Sequence, residues 1–285
     1  MKQQPVHKKR PADIAGAAGK YLGLAVIFLF LLFPIYWMMV TALKPNTESY
    51  RVVPTFWPEH FSTDGFLTLF RDGVFFIYYK NNIVVSAMAA VLICFIAVFA
   101  GYALSRFHFR WNKWILSSFV FAQMMPVISR LISLYGILQR IGLVDTHLGL
   151  VLAISATQVP FAVSLMASFF DGIPRDLEEA ANVDGCGRFR TLFRIVMPLI
   201  VPGLLAVGVY SFLMTWDDYL HAITLIRSDN LWTLSQGLKL TYLGEVSDWQ
   251  LINSASILGT LPMIFVFFFF QKYMVKGLVA GAVKG

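Results

Sequence analysis

The chain has 285 residues, of which 58% are hydrophobic and 14% charged, with a formal net charge of +7. A soluble domain carries about 25% charged residues, so this chain has too little polar surface to coat a water-soluble fold, and its apolar residues gather in long blocks, as in membrane proteins. Nor does the basic balance read as nucleic-acid binding, because Lys and Arg sit in short loops between apolar blocks with no RNA- or DNA-binding signature among them.

Residues 1–20 form a basic tail with Lys2, Lys8, Lys9, Arg10 and Lys20. The first apolar block, Tyr21–Leu43, follows it as a signal-peptide core would. It exceeds the usual core of about 7–15 residues, however, and no small-x-small cleavage site follows, so it is predicted to be an uncleaved span. Five further blocks have the roughly 20 residues a helix needs to cross a bilayer. They are Asn82–Leu104, Trp114–Leu138, Leu148–Phe170, Leu199–Ala222 and Leu251–Phe270. Lipid offers the backbone no partners, so all six are predicted as helices. Fifteen of the 23 Lys and Arg residues fall in the two termini and the loops after spans 2 and 4. That side is predicted to be cytoplasmic, with both termini inside. The opposite side then carries Lys44–Asn81, with Pro45, Pro54, Trp57 and Pro58, the short Gln139–His147 and the mixed Ile223–Gln250. Cys94 lies in an apolar block and Cys186 in a charged loop, so neither a disulfide nor a metal site is expected.

The most charged stretch is Asp171–Pro198. Pro174 suits the first turn of a helix, and Asp176, Glu178 and Glu179 suit its positive N-terminal end. Ala180 and Ala181 favour helix, and Gly185 suits the left-handed position that ends one. A second helix is predicted after it, with Phe189, Leu192, Phe193 and Val196 on one stripe and Arg188, Arg190 and Arg194 off it. Pro198 and Pro202 mark the start of span 5. A short helix is marginal in water on its own, so this helix–Gly–helix element must pack on the spans or on a partner. It reads either as a lever that a cytoplasmic partner pushes or as an amphipathic interfacial hairpin.

Glu179-Ala180-Ala181, three residues, Gly185, nine residues, Ile195 and, after two more, Pro198 resemble the EAA loop of ABC importer permeases, with Met197 where that pattern has Leu. Met125-Pro126, Leu134-Tyr135, Trp216-Asp217-Asp218 and the ending Gly277–Gly285 are similar to the MalG-like carbohydrate permeases. The resemblance implies an all-α integral membrane fold of six transmembrane helices, with a cytoplasmic coupling loop between helices 4 and 5. It divides the chain into the tail 1–20, a permease domain 21–276 and a C-terminal tail 277–285. It also implies that two ATP-binding subunits, which hold ATP and Mg, dock on Glu178, Glu179, Ala180, Ala181, Asp184 and Gly185, and that Gly281, Lys284 and Gly285 reach towards them. A second permease subunit in a heterodimer, an extracytoplasmic solute-binding protein and a bacterial cytoplasmic (inner) membrane location complete the expectation. In such subunits an outer loop enters the binding protein, and Leu238–Asp248 holds that place here.

Missing motifs agree with this division of labour. There is no G-x-x-x-x-G-K-[ST]; Gly16-Ala17-Ala18-Gly19-Lys20 has the wrong spacing. ATP hydrolysis is therefore assigned to a partner chain, and no resident cofactor or metal is expected. Neither H-E-x-x-H nor G-x-S-x-G is present, and the five His are scattered, so no catalytic residue is predicted.

Polar groups inside spans mark a path, because a charge near mid-span costs about 2.5–3.5 kcal/mol. Arg130 lies eight residues inside span 3, and Gln123 is predicted on its helix face, with Tyr135 off to the side. A guanidinium grips carboxylates, which suggests an acidic, uronate-type oligosaccharide; the alternatives are an Arg that snorkels or pairs with an acid on another span. Asp217 and Asp218, beside Trp216 and Tyr219, offer hydrogen bonds and ring faces to a sugar, or else form an interfacial belt or an ion pair with Arg130. Gln158, Tyr210 and Asn253 read as path residues or as helix–helix hydrogen bonds. An ion-coupled secondary transporter would need inverted repeats and mid-span acids, and a membrane enzyme a catalytic constellation; neither signature is visible.

Overall fold

The computed structural model describes the backbone of residues 11–107, 110–242 and 248–282, and the side chains of 19–107, 110–242 and 248–272. Every regular element among these residues is helical. They divide into two compact units, one of residues up to Leu69 together with Val246–Ile257, the other of Phe70–Glu245 with Leu258 onwards.

The first unit opens with α1 (Pro11–Ala42), which starts earlier than the predicted Tyr21. Proline suits a first helical position because its missing N–H has no partner there anyway. From Tyr21 to Phe33 the side chains are exposed and almost wholly apolar, as lipid allows. The short α2 (Asn46–Ser49), the opening of α3 (Asp64–Asp72) and the start of the last helix complete the unit. Here the proline-rich segment is ordered around two buried charges. The Lys44 ammonium donates to the Thr55 carbonyl and lies 5.2 Å from the Trp37 ring centre. Glu48 accepts from the Thr55 hydroxyl and from the backbone N–H groups of Glu59 (3.2 Å) and His60 (3.4 Å). The Thr55 hydroxyl, above all, holds the Glu48 carboxyl below its ordinary range. Gln250 ties the segment down, donating to Ser62 O at 3.0 Å and Ser62 Oγ at 2.8 Å.

The second unit is built on α4 (Val74–Arg106), α7 (His147–Asp171) and α10 (Met197–Trp216). Val85, Ala89, Ile93 and Ala97 form a buried stripe at four-residue spacing on α4 and share one core with Ile154, Val163, Met166 and Phe170 of α7 and Ile200 and Val207 of α10. Apolar attraction is weak between helices in lipid, so contact depends on close packing and small residues. At Gly101 a Cβ would lie 2.8 Å from Met166 Cβ and 3.0 Å from the Ala167 nitrogen, so the backbones meet where only glycine fits.

The third apolar block differs from its predicted straight span. It is two helices, α5 (Asn112–Met124) and α6 (Val127–Arg140), bent by 105°. Pro126 supplies no N–H and disfavours helix at the preceding residue, and Met125 is extended, with ψ 135°. With this pair taken as one span, up to six crossings among the described residues are long and apolar enough; five are single helices. The break also corrects the expectation that Gln123 and Arg130 share a helix face, since they lie on opposite sides of it.

Beyond α7 the chain forms α8 (Asp176–Val183), α9 (Arg188–Thr191), a π-helical turn (Leu192–Val196) and then α10 without interruption. The fifth span ends at Trp216, short of the predicted Ala222, and α11 (Leu220–Leu225) follows a break at Asp217–Tyr219. A 3₁₀ turn (Asp229–Leu231), α12 (Leu234–Gly237) and a second π turn (Leu238–Tyr242) lead to α13 (Trp249–Ala282). The backbone of α13 stays helical past the expected tail start at Gly277 and includes Gly281, whereas Lys284 and Gly285 lie outside the described residues. Residues 243–247 of the outer segment and residues 1–10 of the basic tail also lie outside them.

Candidate coupling site

The helix–Gly–helix element has the predicted form. Asp176, Glu178 and Glu179 occupy the first turn of α8, where carboxylates favour the positive end of the helix dipole. At its other end the Gly185 N–H bonds to Asn182 O (3.1 Å) and the Cys186 N–H to Ala181 O (2.9 Å). With Gly185 at φ +79°, this is the Schellman pattern that a left-handed glycine permits. The second predicted stripe is half right. Leu192 and Val196 are buried, but Phe189 is 73% and Phe193 51% exposed, because the π turn changes the angular step between residues and breaks the 3.6-residue register. Pro198 sits just past that turn and has no N–H to return to the Arg194 carbonyl, which accounts for its position.

The six loop residues do not face one way. Glu178 points inward and has a side-chain exposure of 12%, against 8% for Arg106 at the end of α4. Arg106 Nε lies 2.5 Å from Glu178 Oε1, and the Tyr102 hydroxyl donates to Oε2 at 2.7 Å. The same guanidinium donates to the Ile173 carbonyl (3.1 Å) and to Ser105 Oγ (3.0 Å). Ser105 Oγ donates to Asp171 (2.5 Å), and Arg175 donates to the Ser105 carbonyl (3.0 Å). Arg188 lies 5.0 Å over the Phe107 ring. Ala181 is buried, while Glu179, Ala180, Asp184 and Gly185 are exposed. One edge of α8 is therefore clasped to the end of α4 and the other is open. Between them runs a cleft of about 190 Å³, lined by Arg106, Arg175, Glu179, Asn182 and Arg188 among others.

Sequence reasoning missed Tyr102, and it used Arg106 only as a positive charge that orients the chain. The available signal was a Tyr and an Arg four residues apart at the end of a span, on one helix face.

The candidate path residues are scattered. Gln123 is exposed and donates to Phe119 O (3.2 Å). Tyr135 lies under the Arg227 guanidinium and accepts its hydrogen bond. Trp216, expected to offer a ring face, is buried to 4% exposure. It donates to Gly259 O (3.2 Å) and packs beside Tyr79 and Phe212. Asp218 is occupied by the His221 N–H (3.0 Å) and Nδ1 (2.7 Å), and Asp217 is exposed. Among the described residues Arg130 forms no ion pair, with Asp217 and Asp218 or otherwise, and its buried Nε has no hydrogen-bond partner. Gln158 bonds across to Thr215 (3.2 Å), and Tyr210 packs on Phe161. Asn253 lies in the first unit and donates to Trp249 O (2.7 Å).

Comparison with known proteins shows the family of the chain. Residues 93–279 match the family described as binding-protein-dependent transport system inner membrane component. The chain is 34% identical to the inner membrane ABC transporter permease protein YcjP of Escherichia coli, over 94% of this chain and 96% of that one. It is 32% identical to the sulfoquinovosyl glycerol transport system permease protein SmoH of Agrobacterium fabrum, over 95% of each. Among solved structures, a chain of a bacterial ABC transporter involved in the import of the acidic polysaccharide alginate superposes with a TM-score of 0.81 at 20% identity, covering 94% of this chain and 99% of that one.

Proposed function

Because the chain belongs to the family of binding-protein-dependent transport system inner membrane components, we propose that it is the permease subunit that carries an oligosaccharide across the bacterial inner membrane, driven by ATP hydrolysis in partner subunits. Cargo arrives on an extracytoplasmic binding protein. A second permease subunit completes the pore, and two subunits that bind ATP and Mg press on the open edge of α8. ATP binding favours one state of the spans only through contacts that differ between states, and Glu179, Ala180, Asp184 and Gly185 are where those contacts form.

The observation that carries this reading is the division of α8 into a clasped edge and an open edge. A lever needs both, one fixed to the moving span and one free for the partner. The carbohydrate class is supported by the relative named for sulfoquinovosyl glycerol and the fold neighbour named for alginate import. The finer reading of an acidic, uronate-type cargo is supported by Arg130, whose buried Nε has no acceptor among the described residues and whose planar fork suits a carboxylate.

The test is cargo-stimulated ATP hydrolysis in the reconstituted importer with its binding protein, given neutral and uronate oligosaccharides. Glu179→Lys is expected to abolish stimulation; stimulation at the wild-type level would remove the docking role. Arg130→Ala is expected to weaken uronates selectively, and an unchanged response would return Arg130 to a structural role.

A further inference from the structure

The first unit holds a cavity of about 300 Å³, lined by Trp37, Thr41, Lys44, Ser49, Trp249 and Asn253 among others. Its polar groups are incompletely used. Ser49 Oγ is buried and has no hydrogen-bond partner among the described residues. Asn253 spends its amide N–H on Trp249 O, which leaves its side-chain carbonyl free to accept. The Lys44 ammonium has three donors and gives one to Thr55 O.

Its two indoles differ. Trp37 is engaged by Phe33, stacked at 6.0 Å, by the edge of Phe56 at 5.7 Å and by Lys44. Trp249 is 42% exposed. The nearby carboxylate does not compete for a ligand, because Glu48 already accepts from Thr55, Glu59 and His60. Lys44 and Glu48 offset one another, so the cavity is close to neutral.

A mainly apolar wall, one open aromatic ring and a few converging donors and acceptors characterise small-ligand pockets, and 300 Å³ is at the small end of their range. Carbohydrate rings suit this chemistry, with a C–H face for an indole and hydroxyls that both donate and accept. We propose that this cavity is a carbohydrate subsite seating one sugar unit, its ring on Trp249 and its hydroxyls on Lys44, Ser49 and Asn253. Near-neutrality leaves recognition to the ring face and its hydroxyls rather than to a charge. The proposal rests on the importer reading, in which this lobe faces the side from which cargo arrives. It is a holding place for cargo, additional to Arg130.

The test uses the whole importer in lipid nanodiscs, without binding protein or nucleotide, and saturation-transfer NMR. The probes are maltotriose, arabinotriose, N,N′-diacetylchitobiose and trigalacturonate at millimolar concentration. At least one is expected to receive saturation from the wild type, with affinity about tenfold weaker in Trp249→Ala and measurably weaker in Ser49→Ala. Ser49→Ala removes only an unpartnered hydroxyl and so keeps the test valid should the Trp variant fail to fold. Saturation equal in wild type and variants, or absent with all four sugars, overturns the subsite. Stimulated ATP hydrolysis, measured in parallel with the binding protein, separates the two claims. Stimulation without cavity-dependent binding sinks the subsite alone, and cavity-dependent binding without stimulation sinks the importer reading alone.

Discussion

Removing one side of the Arg106–Glu178 clasp should do more harm than removing both. Each side chain is about nine-tenths buried, and the two are in contact at 2.5 Å. Glu178→Leu strands a guanidinium that retains only the Ile173 carbonyl and Ser105 hydroxyl. Arg106→Leu strands a carboxylate that retains only the Tyr102 hydroxyl. Breaking a buried pair by removing one partner costs about 3–5 kcal/mol, whereas replacing both with apolar residues of similar size is often close to neutral. Some water reaches both groups, so we place each single variant near about 3 kcal/mol. The double variant is expected to cost less than either single, a coupling of more than about 3 kcal/mol. The assay is unfolding by SDS in mixed micelles, read by tryptophan fluorescence, for wild type, both singles and the double. Costs that add to within about 0.5 kcal/mol would refute the reasoning, because the two groups would then be independently solvated. The functional arm is coupling. On the proposed coupling role, the double variant should fold, and an importer assembled with it should hydrolyse ATP in its partner subunits with little response to cargo, because α8 is no longer clasped to α4.

Three further outcomes follow from the geometry. Gly185→Val should lower stability by about 1–2 kcal/mol, the cost of a side chain in the left-handed region, seen as a lower melting temperature; an unchanged melt would mean that the turn adapts. Gly101→Ala places a Cβ 3.0 Å from the Ala167 backbone nitrogen and should cost about 1–3 kcal/mol through overpacking, whereas Gly136→Ala, with nothing within 4 Å of the added carbon, should be near neutral in the same melt. Asp145 gives a pH signature. Its carboxylate accepts from the Ser228 hydroxyl (2.5 Å) and from the N–H groups of Ser228 (2.9 Å) and Arg227 (2.8 Å), and the Ser228 hydroxyl above all holds its pKa below the ordinary value. A depressed carboxylate stabilises the fold above its unfolded-state pKa, and that stability is lost as pH falls through the lower folded value. The melting temperature should therefore drop below pH about 4, and Asp145→Asn, which tolerates the φ of +61°, should reduce that drop; equal slopes would reject the assignment.

The sequence discloses elements whose cause is local. Block length gives the spans, and Gly185 with the acidic first turn gives α8, because caps and dipoles act within one turn. It also shows Pro126, but whether proline kinks a span or breaks it depends on packing, and here the chain turns by 105°. The side of Phe189 and Phe193 was misread because a π turn has no distinctive composition. Whether Glu178 or Glu179 faces inward depends on Tyr102 and Arg106, more than seventy residues away. Trp216 is polar-tipped and beside two acids, which suggests a sugar platform, yet its indole N–H finds Gly259 O. The buried pair Lys44 and Glu48 stayed hidden because a folded loop between spans is compositionally the same as an open one.

The π turn at Leu192–Val196 sets a phase. Each residue of an α-helix advances about 100° around the axis, and a π turn holds an extra residue within the same rise. Deleting one residue there would let the helix return to α geometry with both sides at nearly their present angle, whereas imposing α geometry without the deletion would rotate everything on the N-terminal side of the turn by about 100°. Arg188 and the hairpin beyond it would then meet a partner at the wrong azimuth. On the proposed coupling role, the turn works like the keyway of a shaft, fixing the angle at which a thrust from below would enter the span.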